Sequence, residues 1–333
     1  MIIGHSSGRV HRPRVSYGVP SDDRFLDSVL HPTDRSEASL SAFYHAVAFM
    51  ARSGADLTLL FPRGRRSTDS FLGFPGVRNT IAKWRRQGST DSIERSLARS
   101  WVSRLDAPNS DPVAASLGHV SGYKAEMIVL AIQGRHGWGR SVRPSQAGRL
   151  ARLSRRLSLF VPYGCRPFVS GATGQVWLRR ILLPIDGETD PRPALTRALW
   201  SVSLLDDPAL EITLLQVGAG DEAVVTDLPR LPFCKWTVVR RNGEPARQIL
   251  AVSSEIRADV IYMPTASSWP APTSPNLRVL ESVLGGATCP VATIPVDDGR
   301  SRELSGDPTV ALRLSGRGPG PGRRESPGLS GIA

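Results

Sequence analysis

The sequence predicts an α/β protein made of two tandem five-stranded parallel-sheet domains, with helices on both faces of each sheet. Short apolar runs alternate with segments of helical periodicity along most of the 333 residues. This alternation is typical of βαβ units and a parallel sheet. The same order of segments then occurs a second time in the chain, and a length of 333 residues also favours two domains over one.

The first half is predicted to contain five strands with helices between them. The strands are expected at 25–32, 55–61, 101–105, 126–132 and 159–161, and the helices at 36–53, 77–84, 92–97, 112–117 and 145–156. Gly54 is expected to end the first helix, because glycine adopts the left-handed conformation that closes a helix. In the helix at 145–156, Leu150, Leu153 and Leu157 are expected to face the core, with the arginines towards solvent.

The second half repeats this order. Its strands are expected at 178–185, 211–217, 234–239, 259–263 and 290–296, and its helices at 191–205, 245–256 and 276–284. Between the halves, 168–178 contains Gly171 and Gly174 between two β-prone runs, which indicates a hairpin. The predicted organisation begins with a disordered basic tail at 1–20 and a first domain at 21–165. A hairpin connector at 166–177 leads to a second domain at 178–298, and a disordered Gly/Pro/Arg tail follows at 299–333.

Composition excludes several classes of protein. No apolar run reaches the ~20 residues that a membrane-spanning helix needs, so we expect no membrane partner. The three cysteines are far apart and odd in number, which argues against a disulfide framework or a metal site and favours a cytoplasmic location. The net charge of +12 is concentrated at 63–104 and 135–156. This charge indicates either an anionic partner or solvated helix faces in an arginine-rich chain, and we favour the second over nucleic acid.

Several segments resemble the universal stress protein family. The second half carries ILLPIDG, EITLLQV, ADVIYM and LRVLESVLGGATCPVATIPV, and the first half carries SVLHPTDRSEASL, ADLTLLF, AEMIVLA and LSLFVP. The resemblance covers roughly residues 22–297. It implies the adenine-nucleotide-hydrolase-like fold and two pseudo-two-fold related units whose final strands pair. The duplication by itself suggests a different arrangement, two similarly wound layers that lie back to back.

The resemblance also implies where a nucleotide would bind. In the nucleotide-binding branch of the family, ATP lies at the carboxyl edge of the sheet, near an acidic residue after the first strand. The phosphates lie on a loop of the pattern Gly, two residues, Gly, nine residues, Gly-Ser. Glycines let backbone N–H groups approach a phosphate closely, and the following helix presents its positive end. The candidate binding residues of the first half are Thr33, Asp34, Ala131, Gly134, Gly137, Ser145 and Gln146.

The loop of the first half fits this pattern in two registers. In one, Ala131 replaces the first glycine, Gly134 is the second, and Ser145 replaces the third, one residue late. In the other, Gly134 and Gly137 are the glycine pair and the loop to Ser145 is two residues short. The residues also allow an ordinary glycine-rich loop, with Asp34 as the cap of the first helix.

The second half keeps the spacing of the loop and loses its glycines. Pro264, Ser267 and Leu277 stand at the three glycine positions. Proline has no N–H to donate to a phosphate, and Leu277 is expected to add bulk where a phosphate would approach. Asp186 remains after the first strand of this half. The sequence therefore predicts ATP as a ligand of the first half only.

The function indicated by the resemblance is a non-catalytic, regulatory role in the stress response, with an adenine nucleotide, a protein of unknown identity and a second copy of the chain as candidate partners. No catalytic or metal-binding residue is assigned. His31 and His45 are interpreted as structural residues of a strand and a helix. The alternatives are a slow ATP-hydrolysing enzyme of the same fold and an interaction module that binds no nucleotide.

Overall fold

A single β-sheet forms the centre of the molecule. The computed structural model describes residues 26–62, 73–87, 100–107, 111–122, 125–132, 142–185, 194–195, 209–218, 234–265 and 274–295. These residues all lie within one compact unit, Arg24–Ser305. They form ten strands: β1 Ser28–Pro32, β2 Asp56–Pro62, β3 Val102–Ala107, β4 Met127–Ile132, β5 Leu157–Pro162, β6 Arg180–Ile185, β7 Leu210–Val217, β8 Cys234–Arg241, β9 Val260–Thr265 and β10 Val291–Pro295.

The order of the strands across the sheet is β3-β2-β1-β4-β5-β10-β9-β6-β7-β8. Read outwards from the centre, each half of the sheet has its fifth, fourth, first, second and third strand in turn. Neighbouring strands within a half are parallel, and β5 and β10 pair antiparallel, with Val291 opposite Phe160. The α/β class and the ten strands of the prediction are confirmed, and they are consistent with two tandem domains.

The back-to-back arrangement is wrong, because the two halves lie side by side in one continuous sheet. The edges of β5 and β10 carry unpaired N–H and C=O groups until they meet, and their pairing satisfies these groups. Antiparallel pairing of equivalent strands is also what a two-fold relation between the halves requires. The repeated strand order is consistent with a duplication, and the family resemblance gave the better expectation of how the halves join.

Helices cover both faces of this sheet. They are α1 Leu40–Ser53, α2 Val77–Arg86, α3 Pro112–Gly122, α4 Pro144–Ser154, α5 Pro245–Glu255 and α6 Pro275–Gly286, and a 3₁₀ turn at Glu37–Ser39 precedes α1. On one face α4 packs between α3 and α6, and α6 packs between α4 and α5. The opposite face of β1 and β4 is covered by α1. As predicted, Gly54 ends α1 with φ +76°, and its N–H donates to Met50 O over 3.0 Å.

Helices α4 and α6 pack closely where the halves meet. Gly148 of α4 lies directly against α6, because a Cβ built on it would lie 3.1 Å from Leu277 Cδ1 and 3.0 Å from Glu281 Cγ. Leu150 is fully buried, as predicted, but Leu153 is 44% exposed. The helix ends at Ser154 and Leu157 already begins β5, so the apolar period of the sequence continued past the end of the helix.

The connector between the halves packs on α1 and α2. A bridge between Val169 and Val176 makes it a tight antiparallel turn. A Cβ built on Gly174 (φ +71°) would lie 2.4 Å from the ring of Trp84, and one built on Gly171 would lie 2.4 Å from the ring of Tyr44. Trp84 Nε1–H donates to Gly171 O over 3.2 Å. The turn therefore contacts two helices of the first half through its backbone.

A buried carboxylate joins the connector to the second half. Asp259, only 7% exposed, precedes β9, and its Oδ2 accepts the N–H groups of Arg179 and Arg180 over 2.9 and 2.8 Å. The guanidinium of Arg166, which follows β5, lies 3.1 Å from Asp259 Oδ1. The same guanidinium donates to the backbone oxygens of Arg257 and Ala258. This network fixes the start of β6 and β9 against the residues that leave the first half.

Several predicted segments lie wholly or mostly outside the described residues. Of the helix predicted at 191–205, only Ala194 and Leu195 are described, and both are helical and buried. The helix predicted at 92–97 and both terminal tails lie outside the described residues. Within the described part of the chain, no helix has the length and apolar character needed to span a membrane.

Candidate functional site

The candidate site lies where β1 and β4 end. In the order β3-β2-β1-β4-β5, the chain runs outwards from β1 and then crosses back to β4. The strand order therefore reverses between β1 and β4, and such a switch point at the carboxyl edge is where a crevice can form in a parallel α/β sheet. Parallel α/β sheets bind their ligands at this position. In the paired register Leu30 lies opposite Ile128, and extending that register brings Thr33 level with Ala131.

The loop after β1 is held by its own side chains. Thr33 is 3% exposed; its Oγ1 accepts the N–H of Arg35 over 3.1 Å and lies 3.0 Å from Ser39 Oγ. Asp34 Oδ1 accepts the N–H of Ser36 over 3.0 Å. The N-cap of the 3₁₀ turn is Ser36 and that of α1 is Ser39, so the interpretation of Asp34 as the cap of the first helix is wrong; its bond to Ser36 lies within the loop. Thr33 orders this loop from below, and Asp34, half-buried, lies closer to the surface.

Arg35 has a strained backbone at the same edge. Its φ is +59°, a left-handed conformation that costs a non-glycine residue about 1–2 kcal/mol. Its guanidinium lies 4.4 Å from the centroid of the Phe61 ring, near the end of β2, a favourable cation–π contact. Neither Arg35 nor Phe61 was among the predicted site residues. The available signal was their position in the sequence: Arg35 follows β1, and Phe61 lies near the end of the adjacent parallel strand β2.

Ala131 is part of the sheet. It lies inside β4, is 7% exposed and pairs with Val161 of β5. Gly134 and Gly137 lie outside the described residues, so both registers of the glycine loop stay predictions. The loop's two ends are described, and a parallel bridge joins Ile132 to Val142. The loop from 133 to 141 therefore begins and ends at one point of the carboxyl edge.

The first turn of α4 follows this loop. Arg143 N–H donates to Gln146 Oε1 over 3.1 Å, so the Gln146 side chain caps the helix. Ser145 is exposed, and the first turn contains no acidic residue. The unpaired N–H groups of a helix start carry partial positive charge. Of the predicted residues, Gln146 has a structural role in the helix, while Ser145 is open to a ligand.

His31 lies in β1, two residues before Thr33 and the loop that follows this strand. It is fully buried, and its Nδ1 lies 2.8 Å from Val129 O of β4. Burial lowers the pKa of His31 to about 4; the hydrogen bond to Val129 and the charge of Asp34 act in the opposite direction. The imidazole is therefore neutral at pH 7, with the proton on Nδ1 donated to the carbonyl. His31 thus ties β1 to β4 directly below the crevice.

The second half differs at the corresponding position. Leu277 does not lie where a phosphate would approach: it is 4% exposed and contacts Gly148 across the α4–α6 packing. The expectation of a bulky side chain in the loop is therefore wrong for Leu277. Pro264 is in β9, while Asp186 and Ser267 lie outside the described residues. In the described part of the molecule, no three His, Cys, Asp or Glu side chains are grouped so that they could hold a metal ion.

Comparison with known proteins identifies the fold. No protein-family model and no curated protein matches the chain. Among solved structures, a universal stress protein from Archaeoglobus fulgidus DSM 4304 matches with a TM-score of 0.50 and 17% identity, over 81% of this chain and 97% of that chain. A functionally unknown protein from Pseudomonas aeruginosa PAO1 matches with a TM-score of 0.49 and 12% identity, over 87% and 97%.

A universal stress protein in complex with cAMP also matches, with a TM-score of 0.26 and 21% identity, over 41% of this chain and 98% of that chain. Of these three likenesses, only the one to the Archaeoglobus protein is close enough to bear on this chain. At 17% identity it shows the fold alone. The chain therefore has the α/β fold of universal stress proteins, with a large, mostly parallel sheet and helices on both faces.

Proposed function

We propose that the chain is a tandem universal stress protein whose first half, residues 21–165, binds an adenine nucleotide and acts as a non-catalytic regulator in the stress response. One observation carries this proposal. The loop after β1, the end of β4 and the first turn of α4 meet at the switch point of the first half. Only the first half has glycines in the loop that follows its fourth strand.

The chemistry of the crevice suits an anionic nucleotide. The first turn of a helix has N–H groups without partners within the helix, and in α4 they would offer donors to phosphate oxygens together with the exposed Ser145. The side chain of Arg143 is exposed at the same helix start and adds a positive charge. Asp34, on the opposite side of the switch point, supplies a carboxylate for ribose hydroxyls or the amino group of a base. The positive charge would thus lie on the side of the phosphates of ATP, and the carboxylate on the side of its nucleoside.

Nucleotide binding would act by increasing the fraction of molecules in which the loop is ordered and closed. A ligand that binds only the folded, closed loop stabilises that state by an amount that grows with ligand concentration. No covalent step is needed for such a role. A partner protein that contacts the carboxyl edge would then distinguish the occupied from the empty crevice.

Equilibrium dialysis of the full-length protein with labelled ATP tests the proposal. We expect saturable binding of one nucleotide per chain, and its loss in Asp34→Ala and in Gly134→Val. The matched control is Asp186→Ala, which alters the corresponding acid of the second half and is expected to leave binding unchanged. Circular dichroism of each variant separates loss of the site from loss of the fold.

Two results would contradict the proposal. Absence of saturable binding at millimolar ATP in the unaltered protein would leave an interaction module without a nucleotide. Phosphate release above background, abolished by Asp34→Ala and Gly134→Val but not by Asp186→Ala, would instead make the protein a slow ATP-hydrolysing enzyme.

A further inference from the structure

Two cysteines lie next to each other where the halves join. Cys165 follows β5 and Cys289 precedes β10, and these two strands pair antiparallel. Cys165 N–H donates to Pro162 O over 3.1 Å, which closes the turn after β5, and Arg166 N–H donates to Thr288 O over 2.8 Å. The second hydrogen bond joins the peptide group that follows Cys165 to the peptide group that precedes Cys289, so the backbones of the two cysteines lie beside each other at the junction.

This geometry suits a disulfide. One peptide hydrogen bond separates the two cysteine backbones, which is compatible with the roughly 4.4–6.8 Å between Cα atoms that disulfides require. The side chains also interact electrostatically. Burial raises the pKa of Cys165 to about 12, and the ionised Cys289 contributes to the rise.

We propose that Cys165 and Cys289 form a reversible disulfide when the protein meets a peroxide, and that this bond joins the two halves covalently. The Cys165 thiolate attacks one oxygen of hydrogen peroxide, which breaks the O–O bond and gives a sulfenic acid and hydroxide. The Cys289 sulfur then attacks the sulfenic sulfur, the S–S bond forms, and the S–OH oxygen leaves as water. Overall, two thiols and one peroxide give one disulfide and two waters.

The surroundings assign the order of these steps. Cys165 is partly exposed whereas Cys289 is 1% exposed, so peroxide reaches Cys165 first. The charge of Arg166 lowers the pKa of Cys165, against the larger effect of burial. Cys289 lies deeper, with its sulfur 3.6 Å from Ser253 Oγ, and fits the role of the resolving thiol. A strong reductant returns both thiols.

The buried thiols make this reaction slow and pH-dependent. Only the thiolate is nucleophilic, and below the pKa of Cys165 its fraction rises about tenfold for each pH unit. The rate of disulfide formation at fixed peroxide should therefore rise about tenfold between pH 7 and pH 8 and again to pH 9. Such a slow reaction gives the disulfide during prolonged exposure to peroxide and gives little of it during a brief exposure.

The third cysteine is the matched control. Cys234 begins β8 at the far edge of the sheet, four strands from β10, which is about 19 Å at the usual strand spacing. Burial raises its pKa to about 12 as well, so it resembles Cys165 in acidity but not in position. Any pairing selected by position must leave Cys234 out.

Mass spectrometry of the full-length protein tests the proposal. The folded protein is treated with hydrogen peroxide, its free thiols are blocked with N-ethylmaleimide, and it is digested without reductant. We expect a linked pair of peptides that contain Cys165 and Cys289, in a chain that stays monomeric on a non-reducing gel. The linked pair should form equally in Cys234→Ser, and be absent in Cys165→Ser and in Cys289→Ser.

The same treatment in urea supplies the comparison with an unfolded chain. There, all three cysteine pairings should appear, since no structure selects among them. Equal amounts of the three pairings in the folded protein would overturn the proposal. So would full alkylation of Cys165 and Cys289 after prolonged peroxide at pH 9, or oxidation of Cys165 to sulfonic acid without any linked peptide.

Discussion

At the scale of single residues, two buried histidines connect the stability of the first half to pH. His31 in β1 and His45 in α1 are both fully buried, and burial lowers the pKa of each to about 4. Their hydrogen bonds to Val129 O and Ser41 O act against this shift without cancelling it. Both rings are therefore neutral in the folded protein over a pH range in which an unfolded chain is protonated.

The sign of the pH effect follows from this difference. An unfolded histidine has a pKa near 6.5, so between about pH 6.5 and pH 4 the unfolded state binds protons that the folded state excludes. The stabilisation is complete above pH 6.5 and is lost as pH falls towards 4. We expect each histidine to lower the free energy of unfolding by about 1.4 kcal/mol per pH unit within this window.

Urea unfolding between pH 6.5 and pH 5 measures this loss before most carboxylates titrate. In His45→Leu, the dependence of the unfolding free energy on pH should fall by about 1.4 kcal/mol per pH unit, because one proton-binding difference is removed. An unchanged slope in His45→Leu would contradict the assignment of a neutral, buried imidazole at this position.

A second residue-scale prediction concerns the turn between the halves. Gly174 has φ +71°, and a Cβ there would overlap the ring of Trp84, which is 1% exposed. We expect Gly174→Ala to lower the free energy of unfolding by about 3 kcal/mol, from the left-handed backbone and the overlap together. Thermal unfolding followed by circular dichroism measures the change.

Gly118→Ala is the control for this substitution. Gly118 lies in α3, is exposed, and has nothing within 4 Å of an added Cβ. Alanine there should stabilise the protein by about 1 kcal/mol, as in an ordinary helix interior. Similar effects of the two substitutions would mean that the turn does not pack against Trp84 as described.

At the scale of elements, the contact between α4 and α6 holds the two halves together on one face of the sheet. Gly148 permits this contact, since Leu277 and Glu281 occupy the space that a side chain would need. We expect Gly148→Leu to destabilise the protein by about 2 kcal/mol through overpacking. Equilibrium unfolding measures the effect, and Gly118→Leu, on an exposed helix surface, should cost far less.

The opposite outcome would be informative in the same experiment. If Gly148→Leu and Gly118→Leu were equally stable, α4 and α6 would have to separate without cost, and the helix layer could not be continuous across the two halves. The relevant comparison is between the two leucine variants, because both place the same side chain in a helix.

At the scale of the whole molecule, local features were predictable from the sequence and the joining of distant segments was not. The strands were expected within a few residues of their observed bounds, because their apolar runs and flanking turns are local signals. Gly54 ended α1 as glycine does in many helices. The pairing of Phe160 with Val291 has no local signal, and the continuous sheet was therefore missed from the residues alone.

The candidate site shows the same division. Strand ends fixed the position of Thr33 and Asp34, since the carboxyl ends of parallel strands meet at one edge. Periodicity could not tell which neighbour covers Leu277, and the expectation that it would fill a phosphate position was wrong. Likewise, the spacing and odd number of the cysteines argued against a disulfide framework, whereas the junction of the halves brings the backbones of Cys165 and Cys289 beside each other.

The asymmetry between the halves is the central claim, and hydrogen–deuterium exchange of the full-length protein with and without ATP tests it most directly. ATP should slow amide exchange at 33–36 and 131–146, at the carboxyl edge of the first half. The equivalent segments of the second half, 185–187 and 265–277, should exchange as they do without the nucleotide. Equal slowing in both halves, or none at the carboxyl edge of the first, would contradict the account.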